Sequence, residues 1–318
     1  MISKKSFQFR LRPTKKQARL LNEHLDECRW LYNELLFQRK MAWEELELSL
    51  SKYQQNMMIP LLKEERASLE NVHSQVLQNV VDRLDKSFKA FFRRCKAGEK
   101  PGFPRFRGAH RFNSFCFPQS GFSFLDKRLY LSKIRKIRVK MHREIQGKIK
   151  TCLIKKTASG EFDVVLSCEV EASPLPQKQD AIAIDVGIEN FATFSNGEVV
   201  QNPRFFKQGE KKLAKAQKKL SKLEKGTKER KKTGKVVAKI HEKIKNQRKD
   251  FCHKVAKKIV DQYQYICIED LNIQNMIEGS FFAKSINDVS WNQFRQILTY
   301  KAAEAGRSLG VVNPAYTS

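Results

Sequence analysis

The sequence predicts an α+β chain of several domains: a small β-barrel interrupted by a helical insert, then an α/β domain. Three observations predict this. Apolar residues alternate over "ISKKSFQFRLR" (2–12) and again in six short runs between 111 and 172. Between them, two long stretches carry apolar residues at helical spacing. From 180 onward, the buried-type strand "AIAID" ends on Asp185, and "YICIED" ends on Glu269 and Asp270.

Each element has its own signal. Pro13 stops the first strand, and Thr14 with Gln17 forms a capping box for a helix carrying Leu21, Leu25, Cys28, Leu31 and Leu35 on one face. A second helix spans 74–95 through Leu77, Val80, Leu84, Phe88 and Phe91, closed by Gly98. Residues 13–97 therefore read as a helical insert. "KPGFPRFRG" (100–108) forbids regular structure, and Arg105 and Arg107 alternate there with phenylalanines, a pattern that combines phosphate pairing with stacking. A turn with its aromatics tucked into a core is the competing reading. "SPLPQKQ" (173–179) reads as a linker.

Charge points to the partner. The chain has 318 residues and a formal net charge of +28, which favours a polyanion with strong salt dependence. Residues 204–258 carry 22 Lys and Arg against 5 acids, with leucines and isoleucines at helical spacing on both sides of "KGTKERKKTGK". A basic helical hairpin over 204–260 follows, offering Lys211, Lys212, Lys215, Lys218, Lys219 and Lys222 to a nucleic-acid backbone beside Arg105 and Arg107. No membrane partner is expected, because no apolar run of about 18 residues and no signal-peptide pattern occurs. The seven scattered cysteines contain no C-x-x-C pair, so they read as buried thiols, with neither zinc site nor disulfide framework.

The carboxylates carry the chemistry. Three short strands with an acid ending the first, then helix, then another strand ending in an acid is the order of the ribonuclease-H-like fold. Asp185 and Glu269 then lie side by side, able to share two divalent ions about 3.5–4 Å apart for phosphodiester hydrolysis. Mg²⁺ suits such hard oxygen ligands. An ATPase of related fold would need a second glycine-rich phosphate loop, and none follows "GIENF".

Here the sequence resembles the TnpB family, RNA-guided nucleases encoded by insertion sequences and related to type V CRISPR effectors. The resemblance rests on "FQFRLRPTKKQ", "KAFFRRCKAGEKPGFPRFR", "IAIDVGIENFATFSNGE", "DFCHKVAKKIV", "CIEDLNIQNM" and "SWNQFRQILTYKAAEAGR", nearly the whole chain. It implies a wedge-type domain over 1–12 and 98–179, a recognition lobe over 13–97, and a RuvC-like nuclease domain over 180–318. Asp185 and Glu269 match the first two catalytic, metal-binding acids. Positions matching the DNA-motif reader are Tyr53, Ser74, Gln75, Gln78 and Gln119, and glutamine suits adenine in the major groove. Guide RNA, target double-stranded DNA and Mg²⁺ are the implied partners and cofactor, and the cytoplasm, at the nucleoid, is the implied location. Beyond residues matching "VVNPAYTS" the family continues into a four-cysteine zinc ribbon and a third catalytic Asp, neither within these 318 residues. Asp288 precedes the last helix and strand and is not promoted to that role. The expected function is therefore RNA-guided DNA cleavage; the alternative is a nuclease-deficient, repressor-like guided DNA binder.

Overall fold

The computed structural model describes residues 2–109, 111–171, 173–278 and 280–313. The tail of "VVNPAYTS", 314–318, lies outside the described residues. The chain divides into two compact units, 2–170 and 171–318.

In the first unit, β1 (Ile2–Arg12) alternates as expected, burying Phe7, Phe9 and Leu11. Thr14 caps α1 (Lys15–Leu46): its Oγ1 accepts from Gln17 N (3.3 Å) while Gln17 Oε1 accepts from Thr14 N (3.0 Å). Two short helices follow, α2 (Lys52–Met57) and α3 (Ile59–Glu65), then α4 (Ser74–Lys96). The fully buried Gln55 ties α2 to α1, donating to Leu35 O (2.8 Å) and accepting from Arg39 Nε (2.6 Å).

Six strands complete this unit: β2 (Ser114–Phe117), β3 (Phe122–Leu125), β4 (Arg128–Leu131), β5 (Arg135–Lys140), β6 (Lys148–Lys156) and β7 (Phe162–Glu171). They form a seven-stranded sheet with β1, in the order β2-β6-β7-β1-β5-β4-β3. The predicted barrel is corrected here: among the described residues the sheet is open. Its edge strands β2 and β3 are not hydrogen-bonded neighbours, although the Phe117 and Phe122 rings lie 6.3 Å apart. The link between those edges is itself tied down: Ser120 N–H donates to Gln75 Oε1 (2.9 Å), and Gly121 O accepts from Ser132 N (2.8 Å). One apolar core joins this sheet to α1 and α4, from Phe9 and Phe115 to Leu31 and Leu84.

The second unit begins with β8 (Ala181–Asp185), β9 (Asn190–Phe194) and β10 (Val199–Gln201). The hairpin α5 (Phe205–Lys222) and α6 (Lys228–Gln262) follows, then β11 (Tyr265–Glu269). Next come α7 (Ile273–Ile277), α8 (Ala283–Val289), α9 (Trp291–Ala305) and β12 (Ser308–Val312). The sheet order is β10-β9-β8-β11-β12, with β8 antiparallel to β9 and parallel to β11. Ile182, Ile184, Ile266 and Ile268 pack with Ala256 and Ile259 of α6 and with Phe294 and Leu298 of α9.

The segment 173–179 is irregular, as its prolines require, yet it is fastened down. Leu175 N donates to Ala305 O (3.1 Å), and buried Arg307 donates to Pro176 O (2.8 Å), Val260 O (3.0 Å) and Gln264 Oε1 (2.7 Å). In the hairpin, Leu213 and Ile244 are buried along the expected seam. Gly209 permits this close approach: a Cβ there would stand 2.9 Å from Ile244 Cδ1.

Candidate active site

The alternation of two parallel strands builds the site. On β8 and β11 the isoleucines turn to the core, which leaves Asp185 and Glu269 on the opposite face. The register pairs Ile184 with Ile268, so Asp185 and Glu269 occupy the next row of adjacent strands. Neighbouring strands lie about 4.8 Å apart, within reach of shared ligands. Gly187 follows, and its N–H donates to Phe191 O (3.4 Å) as the chain turns back into β9. A Cβ on Gly187 would approach Asn190 O to 3.0 Å.

The Asp185 carboxylate is exposed and engages no other described residue, while Glu269 is half-buried. Asp270, the next acid, is paired with Arg295 of α9. Two carboxylates on adjacent strands fit a hard divalent cation of the Mg²⁺ kind, which typically takes one or two carboxylates and completes its shell with water and phosphate. Among the described residues no group of three His, Cys, Asp or Glu converges on a metal-binding point. Asp288 is committed elsewhere. It lies against Arg248 (2.6 Å) and accepts from Phe206 N (2.9 Å), capping α5 from α8.

Sequence reasoning did not single out the cavity next to Glu269. It measures about 280 Å³ and is lined by Val186, Ile268 to Ile273, Trp291, Asn292 and Arg295. "SWNQFR" signals the start of a helix but not what that start faces.

The remaining predicted residues fall in separate places. Ser74, Gln75 and Gln78 occupy the first turns of α4, and the Gln75–Ser120 bond brings the turn carrying Gln119 to them. Tyr53 projects from α2 at 74% exposure, and neighbouring Lys52 pairs with Asp82 of α4. Gln78 and Gln119 are exposed, whereas the Gln75 carbonyl already serves Ser120. Arg105 is exposed, and Arg107 lies over the Tyr32 ring at 5.4 Å. Asn33 holds residue 107 at both backbone groups (2.7 and 3.0 Å). Phe103 touches Phe88 (5.6 Å) and Phe91 (5.4 Å) edge-on but is 48% exposed, so it is not tucked into the core. Phe106 stays half-exposed at 52%. The six predicted lysines of α5 are exposed, and Lys219 also meets Glu229 (3.4 Å). All seven cysteines are free thiols; burial pushes Cys28 up to about 12 and Cys252 to about 11, keeping them protonated and unreactive.

A mixed sheet of this order, with acids ending two adjacent parallel strands, is the arrangement of the ribonuclease-H-like fold. Residues 165–279 match a family of the OrfB type of IS605 elements, described as probable transposase. Residues 291–318 match a Cas12f1-like TNB domain. A putative RNA-guided DNA endonuclease of Streptomyces pristinaespiralis is 30% identical over 321 residues, covering 99% of this chain and 79% of the relative. The putative RNA-guided DNA endonuclease InsQ of Escherichia coli (strain K12) is 28% identical over 335 residues, covering 98% and 81%. The chain belongs to the OrfB/TnpB family of IS605-type transposases.

Among solved structures, the Cas12f1–sgRNA–target DNA complex contains a similar fold, with a TM-score of 0.59 at 13% identity, covering 96% of this chain and 75% of the other. Residues 1–47 also match a helix-turn-helix domain of the family, but residues 2–46 form one strand and one long helix.

Proposed function

We propose that this chain is an RNA-guided DNA endonuclease of transposon origin that hydrolyses phosphodiesters with Mg²⁺. The observation that carries this reading is the pairing of Asp185 and Glu269 in one row of adjacent parallel strands, in a chain whose relatives are named for that activity. Rigid strands hold both carboxylates without a loop between them and the core, which keeps their oxygens positioned. Divalent ions on those oxygens would supply the charge that activates water and stabilises the leaving oxygen.

The other residues bind and align. Exposed Lys211, Lys212, Lys215, Lys218, Lys219 and Lys222 give α5 a face for phosphate backbones, and Arg105 with Arg107 gives a second basic station. Tyr53, Ser74, Gln78 and Gln119 form the reader of a short DNA motif, while Gln75 positions the Gln119 turn through Ser120. In this reading, 1–12 with 98–179 serves as the wedge, 13–97 as the recognition lobe and 180–318 as the RuvC-like nuclease domain. Guide RNA and target double-stranded DNA are the partners, and the bacterial cytoplasm is the setting; no described helix is long and apolar enough to cross a membrane.

The test is cleavage of matched DNA by the chain co-expressed with RNA from its own genomic flank, with gel shift in parallel. Asp185→Ala is expected to abolish cutting by more than about a thousandfold while leaving the gel shift intact. Guided binding without any cutting by the unaltered chain would replace this reading with that of a nuclease-deficient, repressor-like binder.

A further inference from the structure

An exposed aromatic surface lies in the first unit, away from the two acids. Phe92, in the last turns of α4, is 53% exposed, and Phe103, in the irregular segment that follows, is 48% exposed. The two belong to one cluster of rings. Phe103 meets Phe88 and Phe91 edge to face, at interplanar angles of 88° and 80°, and Phe91 meets Phe92 at 65°. No two rings in that chain of contacts are stacked, so about half of Phe92 and of Phe103 stays in water. Phe106, on the same segment as Phe103, adds a third ring at 52% exposure. Apolar surface gathered in this way marks a place where something docks.

The surface is held rigid from beneath. Phe88 is buried, and Arg39 lies over its ring at 4.9 Å, itself fixed by Gln55 (2.6 Å) and Asp85 (3.3 Å). The segment 100–108 is pinned as well: Pro104 is buried, and Asn33 bonds both backbone groups of residue 107. Rings already fixed in place lose little freedom on binding. The charge around them has one sign. From 86 to 111 the single acid is Glu99, whereas Arg93, Arg94, Lys96, Lys100 and Arg105 are all exposed. That border attracts a polyanion and repels a second copy of itself. The rings ask for a flat apolar face and the cations for phosphate, and an unpaired nucleotide carries both. In a duplex the bases are stacked on one another, so the surface selects a single strand.

We propose that Phe92, Phe103 and Phe106 stack unpaired bases of the guide RNA, while the cations beside them hold its phosphates. The proposal rests on the RNA-guided reading and deepens it, since it assigns the RNA a contact on α4 and the 100–108 segment that is made through bases. In that reading target DNA arrives as a duplex, with its bases already stacked. A guide must instead carry unpaired nucleotides to meet it, so the RNA is the partner that brings free bases to this surface. Stacking engages the faces of bases, leaves their pairing edges open and tolerates any sequence.

The test reads contact with RNA and does not depend on cutting. The chain is co-expressed with RNA from its own genomic flank in cells fed 4-thiouracil, and the purified complex is irradiated in the near ultraviolet. Adducts mapped by mass spectrometry are expected on the peptides that carry Phe92, Phe103 or Phe106; adducts confined to other peptides overturn the proposal. A second measurement uses Phe92→Leu with Phe103→Leu, which keeps apolar bulk and removes both rings; an unchanged melting temperature verifies the fold. Affinity for an unstructured single-stranded RNA is expected to fall about tenfold or more. The slope of log affinity against log salt is expected to stay, because no phosphate contact is lost. Affinity for duplex RNA of the same length should not change. An equal loss on the duplex, or a reduced slope, overturns the stacking role. A loss seen only on anionic phospholipid vesicles overturns it too, since the patch would then be a lipid surface. Failure of the nuclease reading shows separately, as absence of cutting by a complex whose RNA is still joined to these rings.

Discussion

Asp185 and Asp288 are both acids of the second unit, and their surroundings differ. Asp185 is exposed with no side-chain partner among the described residues, which leaves it free for the metal role proposed for it. Asp288 is spent on Arg248 and on the first turn of α5. Asp288→Ala strands a half-buried guanidinium, so we expect a loss of about 3 kcal/mol in urea unfolding. Cutting per folded molecule is expected to persist, which would separate a structural acid from a catalytic one. Gln75 and Gln78 divide in the same way: Gln75→Ala is expected to lower stability by about 1 kcal/mol, because Ser120 N–H then has no acceptor there. Gln78→Ala is expected to leave the melting temperature in place and relax DNA-motif preference in a target-library assay.

His24 adds a pH dependence at the same scale. Burial lowers its pKa in the fold, although Leu20 O accepts from its ring at 2.9 Å. A depressed basic group favours the neutral form in the folded state, so its contribution is complete above the unfolded value of about 6.5. That contribution is lost as pH falls from there through the folded value. Unfolding midpoints measured at pH 7.5 and 5.5 should therefore fall with pH, and His24→Phe should flatten the difference.

At the scale of elements, the hairpin α5–α6 joins a thin apolar seam to a densely charged exterior. Only Leu213 of α5 is fully buried, so most of that helix exists to present lysine. Neutralising Lys211, Lys212, Lys215 and Lys218 together is expected to reduce the slope of log affinity against log salt for RNA. For single-stranded RNA the reduction is about 0.7 for each phosphate that no longer meets a lysine, to a maximum of about 2.8. An unchanged slope in a filter-binding series would remove α5 from the interface. Most elements were legible in sequence because local rules fix them: the Thr14–Gln17 box, the period of Leu77 to Phe88, the alternation of β1. The open sheet was not legible. Whether β2 and β3 pair is a matter of how the seven strands are arranged in space, which alternation within each strand does not encode.

For the whole molecule, a net charge of +28 sets the response to salt. Without nucleic acid, like charges repel, and raising NaCl should raise the melting temperature by screening. With RNA bound, the same salt should lower it by weakening the complex. A melting temperature that rises with salt in both states would mean that the charge is not matched to a polyanion.

The sequence by itself determined the strands, the helices, the polyanion partner and the two acids at strand ends, because periodicity, capping and charge act over a few residues. Only the tertiary structure decided that Asp185 and Glu269 share one row, that Asp288 is consumed as a cap, and that a cavity opens beside Glu269. Those outcomes depend on strand register and on packing between residues up to about a hundred positions apart. Local pattern carries no information about either.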